Sequence, residues 1–280
     1  MISNLIANKR AVQRIWALPF SSKIKLQIIA EFLTRWIHQK NSDFPKRFIL
    51  AGKEIFFCEK ASRDFLFQEI FLNQSYNIKI NKVSPCIIDC GSNIGLSVIF
   101  FKLMYPNSRI IAFEPQDAAF ECLVKTVQTN QITGIQCHKA ALTRDNGELQ
   151  FYIDDENPAS LIASTCSKRM AKKEITVHGV RLSEYITEPV DLIKLDVEGG
   201  EMDVLLDLGE SGKLAQVHQM IIEYHHHIEP TRDELSKFLA VLEAAGFGYQ
   251  VEGKVGRPYP KFKFQDLVIY AYNKKTIDEG

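Results

Sequence analysis

The sequence predicts an α/β fold, a mostly parallel sheet reached through a helical N-terminal extension, and three observations carry that prediction. From Ser84 onward short apolar runs alternate with amphipathic stretches, the pattern of β-α-β units. The first such run, "CIIDCGSNIG" (Cys86 to Gly95), passes from a strand into paired glycines, as a strand does before a ligand-binding turn. The tail, "FGYQVEG" followed by "FQDLVIYAYN", reads as two strands, so the parallel sheet is expected to end in an antiparallel hairpin.

Each element follows in order. Between Leu5 and Lys40 apolar residues recur at helical spacing with a break at "LPFSS", where Pro19 and Ser21 suit a helix stop and restart, so two helices are expected. This segment holds seven Lys or Arg against the single acid Glu31. It reads as a basic amphipathic cap on the main domain or on a second subunit, a candidate homodimer contact, with an anionic surface as the alternative. "RFILAGKEIFFCE" alternates around Ala51-Gly52-Lys53 and reads as a β-hairpin, and "SRDFLFQEIFLNQSY" as a helix. We place a boundary near Val83 to Pro85, giving an extension over residues 1–84 and a ligand-binding domain over residues 85–280. Within that domain strands are expected at "CIIDC", "RIIAFE", "IQCHKAA", "GELQFYI", "DLIKLD" and "QMIIEY". Helices are expected near Ile94 to Tyr105, Gln116 to Thr129, Glu201 to Leu208 and Thr231 to Ala245.

Composition narrows the classes of partner. The 280 residues carry 34 basic and 34 acidic side chains, so there is no global attraction to nucleic acid, and no aromatic interleaving marks a nucleic-acid surface. No apolar run approaches the roughly 18 residues of a membrane span, and the first residues lack a signal-peptide pattern. A cytoplasmic location is expected. Six scattered cysteines (Cys58, Cys86, Cys90, Cys122, Cys137, Cys166) without a CxxC pair read as reduced thiols rather than disulfides or a zinc site.

The glycine turn is informative about its ligand. A dinucleotide fingerprint spaces glycines as GxGxxG so that a diphosphate approaches the helix N-terminus. Here the spacing is GxxxG, Gly91 to Gly95, and the strand ends in Asp89, an anion where a diphosphate would be repelled. That favours a ligand whose near end carries an amine. The second strand ends in Glu114, 23 residues after Gly91, where a carboxylate can accept hydrogen bonds from both ribose hydroxyls. S-adenosylmethionine has the required amino-acid end, ribose and sulfonium.

The motifs "IIDCGSNIGLSVIFF", "IIAFEPQ", "AALTRDNGELQFYI", "DLIKLDVEGGEMDVL" and "IIEYHH" follow one another as in the FkbM-type family of S-adenosylmethionine-dependent methyltransferases, which this sequence resembles from about Val83 to His227. The upstream "RDFLFQEIFLNQSYNI" resembles the segment that precedes the family's first strand. The resemblance implies the class I methyltransferase fold, Rossmann-like, with a seven-stranded sheet whose last strand is antiparallel. It also implies methyl transfer to oxygen in natural products, sugars and glycans. Carried over by position, Asp89, Gly91, Asn93 and Gly95 would hold the methionine part, Glu114 the ribose, and Pro115 with Ala140 and Ala141 the adenine. Ser92 departs from the family, which often has alanine there.

Methyl transfer from a sulfonium needs in-line approach of the acceptor oxygen and gains from a base that takes its proton. "KLDVEGGE" places Asp196 at the end of the fourth strand, Glu198 in the turn and Glu201 in the first turn of a helix, where a carboxylate suits the helix dipole whatever its function. "MIIEYHHH" places Glu223 and His225 on one face of the fifth strand. Glu198, His225 and Asp196 are the catalytic candidates. Three consecutive histidines point in alternating directions and form no metal site by themselves. Asp196, Glu198, Glu223 and His225 could converge across strands on a divalent ion, which the spacing allows without predicting. The loop Asp154 to Glu174, with Lys168, Arg169, Lys172 and Lys173, and the tail residues Arg257, Lys261 and Lys263 would meet a small-molecule or glycan acceptor, or else form a solvated charged surface. Two rival readings are a non-catalytic S-adenosylmethionine-binding module and a Rossmann-type nucleotide-dependent oxidoreductase.

Overall fold

The computed structural model describes residues 2–34, 46–153, 173–228, 233–253, 261 and 263–276. The expected basic residues Lys168, Arg169, Lys172 and Arg257, and Cys166, lie outside the described residues, whereas Lys261 and Lys263 are exposed. The other five cysteines are free thiols. No helix among the described residues is long and apolar enough to cross a membrane.

The extension begins with α1 (Ile2–Ala17) and α2 (Ser22–Thr34), then the hairpin β1 (Lys46–Leu50) and β2 (Lys53–Phe57), then α3 (Lys60–Phe67). The hairpin closes through Ala51 and Gly52, both at positive φ, the backbone that lets a two-residue turn follow the strand twist. α3 does not stop at Phe67 but widens into a π-helical turn over Gln68–Leu72. The parallel part follows as β3 (Cys86–Cys90), α4 (Leu96–Met104), β4 (Arg109–Phe113), α5 (Asp117–Thr129) and β5 (Ile135–His138). After an excursion through β6 (Ala141–Leu142), β7 (Gly147–Ile153) and β8 (Lys173–Val180) come β9 (Val190–Leu195), α6 (Glu201–Glu210), β10 (Val217–His226), α7 (Leu235–Ala244), β11 (Phe247–Gly253) and β12 (Gln265–Asn273).

The main sheet has seven strands in the order β5-β4-β3-β9-β10-β12-β11. β3, β4, β5, β9 and β10 pair in parallel, and the last strand in sequence, β12, runs antiparallel between β10 and β11. This is the class I methyltransferase fold. The reversed strand is internal rather than at the edge, because β12 inserts beside β10. Strand order turns back between β3 and β9, so the carboxyl ends of these two strands open a crevice.

Alternation across the strands divides the core in two. Ile87, Leu192 and Ile221 face a layer made by α4, α5 and the whole extension, while Ile88, Ile193 and Ile222 face α6 and α7. Phe20 and Phe71 each pack edge-on against Phe100 of α4, with ring centroids 5.7 and 5.6 Å apart. The extension therefore shares one continuous apolar core with one face of the sheet. β2 also lies along α5, where the Phe56 N–H donates to Thr126 Oγ1 (3.0 Å) and the Glu54 N–H to Asn130 Oδ1 (2.8 Å).

One strand departs from the sequence expectation. No strand is expected between Ile153 and Asp191, yet β8 pairs antiparallel with β7 and parallel with β6 in a separate three-stranded sheet. Its apolar alternation amounts to Ile175 and Val177, and only pairing with β6 and β7 makes it a strand.

Candidate active site

The turn after β3 shows what its glycines are for. Gly91 has φ +82°, and a Cβ there would sit 1.9 Å from the backbone oxygen of Asp196, so the turns following β3 and β9 touch and leave no room for a side chain. Gly95 has φ +87°, and its Cβ would come within 2.8 Å of Leu123 on α5. Asn93 also adopts a left-handed backbone, with its Oδ1 accepting the Ile94 N–H at 2.8 Å. This twist aims the Asn93 N–H at Glu114 Oε2 (2.8 Å), while the Gln116 N–H donates to Glu114 Oε1 (2.9 Å). Glu114 is 3% exposed, and burial pushes its carboxyl up to about 7 in spite of those two bonds.

An open cleft of about 640 Å³ lies over the two strand ends. Of the residues expected to hold a cofactor, Gly91, Asn93, Glu114, Pro115, Ala140 and Ala141 line it. Phe113, Leu142, Val197 and Leu66 add apolar wall that the sequence reading did not single out. Gly95 starts α4 behind the turn. Asp89 is fully buried beneath it and accepts from Ser97 Oγ at 2.5 Å, with Lys194 Nζ 3.7 Å away; burial raises its carboxyl pKa. Among the catalytic candidates, Asp196 and Glu198 line the cleft at its other end, and His225 stands behind them.

That end of the sheet is polar because alternate positions carry charge. Asp89, Lys194, Asp196, Glu223, His225 and Asp266 share the face of Ile87, Leu192 and Ile221, beyond its apolar part. Lys194 is a buried cation among them. Its Nζ donates to Gly91 O (2.6 Å) and pairs with Asp196 Oδ2 (3.1 Å). Burial disfavours its charge, but Asp196 and Asp89 outweigh burial and raise its pKa. The extension supplies two further groups that sequence reasoning missed. Glu69, in the π-helical turn, is pushed up to about 7 by burial and then by Asp196, and shares a hydrogen bond with Glu223, itself raised by burial and the same carboxylates. Tyr76 is buried with its hydroxyl lacking a hydrogen-bond partner, and after burial the charges of Glu69 and Asp196 raise its pKa most. A lysine inside the apolar run "DLIKLD" was the available signal, since a buried charge requires partners.

His225 is held at both ring nitrogens. Nδ1 lies 2.8 Å from Glu201 Oε1, and Nε2 lies 3.2 Å from Glu198 Oε2 and 3.9 Å from both Asp196 Oδ1 and Asp266 Oδ1. Burial opposes the imidazolium, yet Glu201 and then Glu198 outweigh it and raise the pKa well above the ordinary histidine value. Glu201 Oε1 also accepts the Gly199 N–H at 2.9 Å, so one carboxylate ties the turn to β10. Glu198 itself has φ +56°, a backbone costing a non-glycine residue roughly 1–2 kcal/mol, and this turn presents its side chain to the cleft. Among the described residues, three groups of side chains have ligand atoms close enough for a metal ion: Asp196, Glu198 and His225; Glu223, His225 and Asp266; and His226, His227 and Asp233.

The cleft thus brings together Glu114, its carboxylate held by two backbone N–H groups, apolar walls, and the carboxylates of Asp196 and Glu198. The family model for the methyltransferase FkbM domain matches residues 89–249. "Methyltransferase 1" of Beauveria bassiana is 28% identical over 230 residues, covering 75% of this chain and 90% of that protein. The 31-O-demethyl-FK506 methyltransferase FkbM of Streptomyces tacrolimicus is 23% identical over 229 residues, covering 70% of this chain and 86% of that protein. Among solved structures, a methyltransferase FkbM from Methylobacillus flagellatus aligns with a TM-score of 0.49 and 15% identity, over 97% of this chain and 59% of that one.

Proposed function

Because the chain belongs to the FkbM methyltransferase family, we propose that it binds S-adenosylmethionine and transfers the methyl group to a hydroxyl oxygen of a sugar, glycan or polyketide-like small molecule. The observation that carries the reading is Glu114. Each of its oxygens already takes one backbone N–H, which fixes the carboxylate and leaves one lone pair per oxygen for the two hydroxyls of a ribose. Asn93 and Gly91 line the cleft toward the amino-acid end, and Pro115, Ala140 and Ala141 form the wall for the base. Residues 85–280 are in this reading the catalytic domain, and residues 1–84 an extension roofing its acceptor side.

The cofactor supplies an electrophilic methyl on a sulfonium. Glu198 faces the cleft, where its carboxylate would take the proton of the acceptor hydroxyl as that oxygen accepts the methyl group. His225 acts through Glu198, holding it by the Nε2 contact, and Asp196 adds a second carboxylate on the same wall. Oxygen as the acceptor atom is supported by the name of the Streptomyces tacrolimicus relative, a 31-O-demethyl-FK506 methyltransferase.

Calorimetry with S-adenosylmethionine and S-adenosylhomocysteine tests the reading. Both should bind the folded chain, Glu114→Gln should weaken binding at least tenfold, and Glu198→Gln should spare binding while lowering turnover about 10²-fold or more. Failure of either cofactor form to bind the folded wild-type chain would sink it.

A further inference from the structure

We propose that the outward face of α1 and α2 is a docking surface for a lipid bilayer carrying anionic headgroups. The inference does not depend on the methyl-transfer reading of the cleft.

A helix that caps a core buries one apolar side and turns a polar side to solvent. α1 and α2 depart from this pattern. Ala11, Ile15 and Leu18 of α1 and Ile28 and Phe32 of α2 are buried in the core shared with the sheet. On the side turned away from that core, Leu26 is 58% and Leu33 51% exposed, two turns apart along α2 with the exposed Ala30 between them. α2 is therefore apolar both inward and outward. Trp16, near the end of α1, is 49% exposed, and Lys25 Nζ stands 5.5 Å from its ring centroid, which brings outward side chains of the two helices together.

Charge selects the partner. Lys9, Arg10, Arg14 and Lys23 are exposed and Lys25 is partly so, whereas Glu31, the single acid from residue 2 to residue 34, is buried. Lys9 lies two turns before Trp16 on the same side of α1. With 34 basic and 34 acidic side chains in the whole chain, this is a local concentration of positive charge. A second copy seated here about a two-fold axis would bring these cations against their own equivalents. A soluble polyanion would pair with the cations and leave Leu26 and Leu33 in water. An anionic bilayer meets both needs: each cation strengthens adsorption about fivefold, Leu26 and Leu33 enter the acyl boundary, and Trp16 sits at headgroup level beside Lys25.

The test is flotation of the full chain with vesicles of phosphatidylcholine alone and of phosphatidylcholine with about 30% phosphatidylserine, at low and high salt, without cofactor or acceptor. Binding to the anionic vesicles should be at least tenfold stronger than to the neutral ones and should fall at high salt. Tryptophan emission should shift to the blue on binding, and less so in Trp16→Phe. Leu26→Ser with Leu33→Ser, and separately Lys23→Gln with Lys25→Gln, should each weaken binding roughly 10–30-fold. Lys237→Gln, on α7 across the sheet, should leave it unchanged. Leu26 and Leu33 lie outside the core, so the serine variant keeps the fold and the test decisive. No binding of the wild-type chain to anionic vesicles would overturn the proposal, as would equal binding to both kinds of vesicle or binding that the serine and glutamine pairs leave unchanged. A concentration-dependent dimer in sedimentation, lost in the serine variant and accompanied by no vesicle binding, would overturn it in favour of a second copy.

Discussion

Glu114 is a buried carboxylate, and the cost of its burial appears in its titration. Its carboxyl holds a proton up to about 7 in the folded chain against 4.5 for an ordinary glutamate. Between those values the folded state binds more protons than the unfolded one, so this group makes stability fall as pH rises from 4.5 to 7 and level off above, by about 3 kcal/mol in all. Glu114→Gln should flatten that part of a pH series of urea unfolding midpoints; an unchanged slope would show that burial does not set this titration. Affinity for S-adenosylhomocysteine should rise through the same window in the wild type, since ribose hydroxyls donate to the ionised form. Glu114 and Gly91 were readable because their spacing is local to two strand ends. Glu69 and Tyr76 were not, because the groups they face come from separate elements and the contacts exist only after the sheet forms.

At the level of elements, the docking of β2 on α5 is a strand edge satisfied by side chains of a helix. The buried Phe56 N–H depends on Thr126 Oγ1, and Thr126 is itself inaccessible to solvent. Thr126→Val keeps shape and removes the acceptor, so it should destabilise the chain by about 1–3 kcal/mol at unchanged m-value and leave cofactor affinity intact. A neutral outcome would mean that water or a backbone shift replaces the bond. The parallel strands were legible because burial on both faces demands continuous apolar runs. β8 was not, since this strand of a side sheet carries only two apolar residues, Ile175 and Val177, on its buried face.

Across the whole molecule, the extension and the sheet do not have separate cores. Phe20, Phe32, Phe67 and Phe71 belong to the same apolar cluster as Ile87, Phe100 and Leu192. Thermal unfolding should therefore show one cooperative calorimetric transition, and two resolved transitions would establish residues 1–84 as an independent unit. The sequence boundary near Val83 to Pro85 marks a change of pattern, and patterns of local periodicity carry no information about which surfaces later coalesce.

The widened turn at Gln68–Leu72 ties these levels together. Each residue of an ordinary helix advances the side chains by about 100°, so a turn holding one extra residue acts as a phase correction between the helix before it and the wall it meets. Removing a single residue there would turn the upstream face of α3 away from Phe32 and Phe48 or swing Glu69 off Glu223, but could not keep both in register. Insertions and deletions between Lys60 and Tyr76 should consequently be far less tolerated than substitutions, although that segment lies outside the five ordered motifs from "IIDCGSNIGLSVIFF" to "IIEYHH".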